Sequence, residues 1–144
     1  MTWTFFKKLK RDDEAAAIIE FAIIAPAFLA LMLGVFQIAI NMQAMNAMRG
    51  AASDTARYAV VEYQKKNELT NEEIRVAAER IGESLPYALD RNFSASVTTP
   101  GTQRVDGAFE RTLTVRYTPP AIFPFFDWTS QRLNFQRPIF MIDE

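Results

Sequence analysis

The sequence contains no cysteine and no histidine. It therefore has no thiol nucleophile, no disulfide, no Ser-His-Asp triad and no zinc site of the usual kind. Its five glycines form no phosphate-binding motif. The 16 basic and 17 acidic residues nearly cancel, which argues against a nucleic-acid partner. We therefore expect no enzyme, catalytic residue, cofactor, metal site or small-molecule substrate.

Charge is also missing from one long stretch near the N-terminus. From Phe21 to Met48 there is no charged residue, and up to Ile40 only Gln37 is strongly polar. As a helix this stretch extends roughly 42 Å, compared with roughly 30 Å of bilayer hydrocarbon. A helix buried in a soluble protein is the alternative, but the length and composition favour a transmembrane helix in contact with lipid.

Basic residues flank this stretch unequally. Lys7, Lys8, Lys10 and Arg11 precede it, whereas Arg49 is the first basic residue after it. The positive-inside rule then places the N-terminus in the cytoplasm and the larger remainder of the chain outside. A cleaved secretory signal peptide is the competing interpretation, because Ala44 to Ala47 offers a small-residue site. The apolar stretch is longer than the about 7–15 residues usual for such a signal.

The residues after the stretch predict that the helix continues. Small residues recur at three- and four-residue steps, which permits close approach to another helix or to a sheet: they are Ala44, Ala47, Ala51, Ala52, Ala56 and Ala59. We expect the part nearer the membrane, with Met42, Met45 and Met48, to contact partner proteins. Val60, Val61 and Tyr63 are expected to pack on the chain's own domain.

A second helix begins at a capping-box pattern. Thr70 and Glu73 form the box, and Leu69 with Ile74 can form a hydrophobic staple. The apolar positions fall on one face, and Pro86 marks the end: they are Ile74, Ala77, Ala78, Ile81 and Leu85. The charged residues between them are expected to form a solvated surface.

Beyond Arg91 the apolar period changes to two. Strands are predicted around Phe93–Val97, Phe109–Tyr117 and Leu133–Ile142, with Pro138 favouring a sheet edge for the last. Helices followed by strands indicate an α+β fold with an antiparallel sheet. The predicted organisation is a cytoplasmic flank at 1–15, the transmembrane helix and its extension at 16–66, and an outward domain at 67–144. The aromatic loop at 121–128 either caps the sheet or forms an exposed patch for a partner or the membrane surface.

The residues around Glu20 resemble a known processing site. The stretch Glu14-Ala15-Ala16-Ala17-Ile18-Ile19-Glu20-Phe21-Ala22 is similar to that of type IV pilins, and more closely to that of tight-adherence (Tad) pilus subunits. In that pattern Glu20 and Phe21 are the fifth and sixth mature residues. The resemblance thus implies prepilin-peptidase cleavage between Ala15 and Ala16. Ala15 stands where the family usually has glycine.

Three further stretches resemble the TadE-like family of minor pilins and pseudopilins. Glu20-Phe21-Ala22-Ile23-Ile24-Ala25-Pro26 is similar to its opening motif, and Pro26 is expected to kink the helix. Residues 48–60 resemble the Ala/Arg-rich helix after the span, and residues 115–120 resemble the Val-x-Tyr-x-x-Pro stretch. The matches occur in order over most of the chain and predict a long pilin-like helix carrying a small α+β domain.

The resemblance implies a function and a set of partners. It implies a subunit in the bacterial inner membrane with a periplasmic domain, which supports Tad pilus biogenesis and surface adherence or joins the pilus. The implied partners are a prepilin peptidase, the Tad assembly machinery, other minor pilins and membrane lipid. It also implies that Glu20 pairs with the new amine of Ala16 in a neighbouring subunit and fixes the axial register. From the residues alone, the alternative is that Glu20 lies at headgroup depth and contacts water.

Two other functions remain open from the sequence. One is a permanently anchored, single-pass accessory protein whose outward domain binds a periplasmic partner. The other is a membrane-tethered domain for a small ligand, which requires a pocket. The first differs from a pilin in whether the bond between Ala15 and Ala16 is cut.

Overall fold

The computed structural model describes residues 13–102, 104–105, 107–122 and 131–142, and their side chains from residue 16 onward. Two helices precede three strands, in the order α1, α2, β1, β2 and β3. The chain forms two units, residues 1–38 and 39–144. This architecture confirms the predicted α+β fold, with a long N-terminal helix, one further helix and an antiparallel sheet.

Helix α1 spans Asp13–Gln64, 52 residues in all. It continues through Pro26 without interruption, although proline removes one backbone hydrogen bond. Alanine, leucine and methionine, which favour helix, are frequent along it. A kink at Pro26 remains a prediction.

The second half of α1 forms the core of the domain in the 39–144 unit. Ala44, Met48, Ala52, Ala56 and Ala59 are buried in one apolar cluster with side chains of α2 and the sheet. The prediction that this region nearer the membrane contacts partner proteins is therefore wrong for Ala44 and Met48. The physical reason is that apolar side chains of α2 and the sheet cover this part of α1.

Gly50 of α1 permits the ring of Tyr87 to lie close to the helix. A Cβ atom at this position would lie 2.4 Å from Cε1 of Tyr87, which is too close for any real contact. The hydroxyl of Tyr87 donates a hydrogen bond to Oδ2 of Asp54, one turn further along α1, at 2.7 Å. This bond also raises the pKa of Tyr87, since the nearby carboxylate disfavours the phenolate. Gly50 and Asp54 together thus hold Tyr87 against the helix.

Helix α2, Asn71–Glu83, begins at the predicted capping box. The hydroxyl of Thr70 accepts a hydrogen bond from the N–H of Glu73, and the N–H of Thr70 donates to the Glu73 carboxylate at 2.7 Å. These bonds lower the pKa of Glu73. The apolar face is confirmed from Ile74 to Ile81 but is wrong for Leu85, which is 86% exposed. Leu85 lies beyond the helix end, because the cap residue Ser84 is already extended.

The three strands form an antiparallel sheet in the order β1-β2-β3. Strand β1 is Ser94–Thr98, β2 is Ala108–Tyr117 and β3 is Leu133–Ile142. Both outer strands pair with β2, and Pro138 of β3 lies opposite Thr112. The prediction of an edge position for the proline-containing strand is confirmed.

One sheet face carries the apolar core. Leu113, Val115 and Tyr117 of β2 are buried there, in the same cluster as α1 and α2. Arg111 shares this face, as the sequence pattern predicts. Its guanidinium donates a hydrogen bond to the carbonyl of Leu69 and lies 5.1 Å from the ring centre of Phe109.

The domain has two ends along the strand direction. At the near end, where α1 enters the domain, Ile40 and Ala44 line a cleft with Leu89, Tyr117 and Pro119. The far end contains the connection between α1 and α2 and the connection between β1 and β2. These two connections meet where Asn71 donates a hydrogen bond to Thr99.

Glu110 is a buried carboxylate on the other face of the sheet, where the alternating pattern predicts an exposed side chain. It is 0% exposed, and the connection between β1 and β2 supplies its partner. The backbone N–H of Arg104 donates to it at 3.0 Å, and the guanidinium Nε donates at 2.7 Å. These bonds lower the pKa of Glu110 below its ordinary value of 4.5.

We expect this ion pair to make the domain sensitive to acid. Because the pKa of Glu110 is lower in the folded state, its contribution to stability is present above pH 4.5 and is lost as the pH falls through the folded-state pKa. In Glu110→Gln this contribution is absent at every pH. The difference in melting temperature between the two proteins should therefore shrink on acidification, as measured by circular dichroism of the full chain in micelles.

Other carboxylates do not obscure that comparison. The pKa values of Glu62, Glu72 and Glu73 are also lowered by their partners, but these groups titrate in both proteins alike. A melting-temperature difference that stays constant from neutral to strongly acidic pH would contradict the role given to Glu110.

Candidate functional site: the apolar half of helix α1

The first half of α1 exposes apolar side chains on all sides. Many are more than half exposed, Phe21 reaching 72%. They follow no single helical stripe, so no polar face exists to contact water. These exposed side chains are Ile18, Ile19, Phe21, Ile23, Ile24, Phe28, Leu31, Val35, Phe36 and Ile38. Such a surface requires lipid or apolar protein around it.

The length of this surface matches a bilayer. Residues 16–38 rise roughly 33 Å as an α-helix, compared with roughly 30 Å of hydrocarbon. Within the described residues α1 is the one helix long and apolar enough to cross a membrane. Length, composition and exposure together identify it as a single-pass membrane anchor. Its orientation remains a prediction.

Glu20 is the charged residue within the exposed apolar surface. Its neighbours Ile19, Phe21 and Ile24 are all exposed apolar residues. Ala16 lies four positions earlier, one helical turn away on the same side of α1. The helix therefore brings Ala16 and Glu20 together, and a cut before Ala16 would place an amine one turn from a carboxylate.

A carboxylate in this environment needs a partner or water. A charge in the apolar layer costs about 2.5–3.5 kcal/mol on insertion scales and less near the interface. Glu20 is exposed in the single chain, so a neighbouring subunit can reach its carboxylate. Pairing between subunits remains a prediction, as does cleavage between Ala15 and Ala16.

Gln37 is the strongly polar residue of the apolar stretch from Phe21 to Ile40, and its burial was not predicted from the sequence. It is buried, although most of its neighbours along the first half of α1 are exposed. Its polarity within the apolar stretch was the available signal. Periodicity alone does not distinguish a buried glutamine from one at the membrane surface.

Several clefts bear on the ligand-binding alternative: two open ones beside α2 have volumes of about 310 and 460 Å³, and the near end contains a third. Its volume is about 210 Å³, below the about 300–1,000 Å³ typical of small-ligand pockets. Its lining is mainly apolar and includes Ile40, Ala47, Tyr87, Leu89 and Tyr117. Among the described residues, no three acidic side chains lie close enough together to hold a metal ion.

The aromatic loop begins beside this cleft. Pro119 and Pro120 line the cleft, and Ala121 and Ile122 are partly buried. The rest of the loop, 123–128, lies outside the described residues. Both interpretations of the loop therefore remain predictions.

Comparison with known proteins gives one family match. The family described as TadE-like protein matches residues 15–57. The matched range contains Ala15, Ala16, Glu20, Phe21 and Pro26. It also includes α1 residues that are buried in the domain core. No curated protein and no solved structure matches the chain. Residues 15–57 are therefore similar to the TadE-like family, and this similarity covers the anchor and the first part of its continuation into the domain.

Proposed function

We propose that this chain is a minor pilin or pseudopilin subunit of a Tad pilus system, which supports pilus biogenesis and adherence to surfaces. The observation that carries the proposal is Glu20, an exposed carboxylate one turn from Ala16 in an otherwise apolar part of a TadE-like domain. In a permanent anchor this carboxylate has only water at headgroup depth as its partner. In a subunit that packs against other helices, it can pair with an amine of a neighbour.

The apolar half of α1 suits two successive environments. In the inner membrane its exposed side chains contact lipid, and in an assembled bundle the same side chains contact neighbouring helices. Cleavage before Ala16 creates an amine that pairs with Glu20 of a neighbouring subunit. In a packed bundle this pairing offsets the cost of burying either charge and aligns the subunits along the axis.

In this function the subunit has a defined location and defined partners. The N-terminus lies in the cytoplasm and the domain in the periplasm until assembly. A prepilin peptidase removes the leader, and the Tad machinery and other minor pilins receive the subunit. The chain has no catalytic activity and requires no cofactor, since its role lies in the surfaces that it presents.

A permanently anchored accessory protein is the second candidate. The observation that favours it is Ala15. A peptidase adapted to glycine at the cut site has little room for the methyl group of alanine, which disfavours cleavage. In that case α1 stays in the bilayer, and the periplasmic domain binds its partner from there. The two candidates predict different N-termini.

The decisive experiment measures the N-terminus of the mature protein. We expect mass spectrometry to find a chain starting at Ala16 when the host's prepilin peptidase is co-expressed, and an uncleaved chain without it. Ala15→Gly should increase the cleaved fraction, whereas Ala15→Leu should abolish cleavage because its side chain is too large for the site. Ala22→Gly makes the same alanine-to-glycine change seven residues after Ala15, away from the cut, and should be cleaved to the same extent as the wild type.

Either outcome is informative. An uncleaved N-terminus under both conditions, including in Ala15→Gly, would overturn the processed-pilin function and favour the permanent anchor. Cleavage at another position would separate the new amine from Glu20 and contradict the pairing.

A further inference from the structure

Three arginines gather at the near end of the domain. Arg116 is the penultimate residue of β2 and lies between Ser94 of β1 and Asn134 of β3. Arg132 directly precedes Leu133, which pairs with Tyr117. Both arginines thus lie at the end of the sheet where Tyr117 lines the cleft.

The third arginine lies in the connection between α2 and β1. Arg91 follows Leu89, another residue of the cleft, by two positions. Three separate parts of the chain therefore contribute an arginine to the near end. Strand register places Arg116 and Arg132 there, and the position of Leu89 in the cleft places Arg91.

These arginines are available to an outside partner. Arg91, Arg116 and Arg132 are exposed, and none of them forms an ion pair within the part of the chain that the structure describes. Arg116 donates one long hydrogen bond of 3.5 Å to Ser96. Asp90 is the acidic residue in the described parts of this region (84–92, 116–122 and 131–134), which leaves three positive charges against one.

An exposed apolar side chain accompanies the charges. Leu85, which is 86% exposed, lies two residues before Tyr87 of the cleft. A surface with arginines and a protruding leucine suits the boundary between lipid headgroups and hydrocarbon, where charges contact phosphates and apolar side chains contact acyl chains.

The position of Ile40 indicates which partner this surface meets. Ile40 lies at the near end and follows Ile38, an exposed apolar residue of the anchor, by two positions. Two residues rise roughly 3 Å along a helix. We infer that the near end is a headgroup-binding surface, on which Arg91, Arg116, Arg132 and Leu85 hold the domain against anionic phospholipid.

This inference has a defined energetic scale. A basic residue near an anionic membrane surface raises the equilibrium constant for membrane contact by about fivefold. Removal of all three arginines should therefore weaken the contact by about 100-fold. High salt should have a similar effect, because the screening length falls from about 8 Å at physiological ionic strength to about 3 Å at 1 M.

Because the chain contains no cysteine, a fluorescent label can be attached at one chosen position. A single cysteine introduced by Ser94→Cys at the near end, or by Thr102→Cys at the far end, carries a fluorescent donor. The full chain is placed in nanodiscs with an acceptor on the lipid headgroups. The lipid is either phosphatidylcholine alone or an equal mixture with phosphatidylglycerol, and energy transfer reports how close each site lies to the headgroups.

We expect phosphatidylglycerol to raise energy transfer from position 94 but not from position 102. Arg91→Gln, Arg116→Gln and Arg132→Gln combined should abolish this rise. The matched control removes three exposed charges elsewhere through Arg57→Gln, Lys65→Gln and Lys66→Gln, and it should retain the rise.

Two results would overturn the inference. One is energy transfer at position 94 that does not depend on lipid charge, and the other is an equal loss in the control variant, which would indicate a net-charge effect. If the triple arginine variant has a lowered melting temperature, the wild type in 1 M salt gives the same test without substitution. The inference rests on the membrane anchor and not on leader cleavage, so an uncleaved N-terminus leaves it intact.

Discussion

Met48→Ala should lower the free energy of unfolding of the domain by about 2–5 kcal/mol, whereas Met42→Ala should leave it within about 0.5 kcal/mol of the wild type. Both methionines lie in α1 and within the uncharged stretch. Met48 is 0% exposed in the core, while Met42 is 64% exposed. Truncation of Met48 leaves a cavity among Ile74, Leu113 and their neighbours in the core cluster, and truncation of Met42 does not.

Amide hydrogen exchange in β2 is the suitable measurement for this pair. Exchange of the central β2 amides, in the full chain in micelles, reports opening of the domain separately from the membrane helix. The substitution is the same in both variants, so changes in helix propensity cancel. Equal effects at the two positions would contradict the assignment of Met48 to the domain core.

Glu20→Gln should be cleaved normally and inserted in the membrane, yet be incorporated into pili roughly 100-fold less than the wild type. The estimate follows from the cost of leaving one charge of a buried pair without its partner. A neutral amide cannot balance the amine of Ala16 in a neighbouring subunit. Membrane insertion is preserved, since glutamine costs no more than glutamate in an apolar layer.

The comparison requires the membrane and pilus fractions of the same cells. Immunoblots of sheared pili and of membranes give the incorporated fraction, and mass spectrometry verifies the N-terminus. Glu20→Asp keeps the charge and should retain part of the incorporation. Glu68→Gln removes an exposed charge in the domain and should have no effect. Normal incorporation of Glu20→Gln would exclude a role for the carboxylate in assembly.

The sequence predicts elements whose signals are local. The capping box of Thr70 and Glu73 lies within one turn, and each strand shows its alternation within a few residues, so both were readable without the fold. The apolar half of α1 is also a local property, since no arrangement of this domain supplies a polar face to residues 16–38. The family resemblance rests on consecutive residues such as Glu20 and Phe21 for the same reason.

Other features depended on contacts between distant parts of the chain. Met48 looks like a continuation of the anchor, and only the sheet packed on α1 makes it a core residue. Glu110 has the pattern of an exposed strand residue, and it is buried because Arg104 pairs with it across a connection. Leu85 fits the apolar face of α2, but the helix ends before reaching it.

The sequence by itself determined the anchor, the α+β order of elements and the carboxylate at position 20, because periodicity, capping and the absence of charge act over a few residues. Only the tertiary structure decided where the anchor ends and the domain begins, and which charges lie together. Arg91, Arg116 and Arg132 are separated by up to 41 positions in the chain. Strand register brings Arg116 and Arg132 to one end, because pairing fixes which residues lie side by side, and the position of Leu89 in the cleft brings Arg91 there.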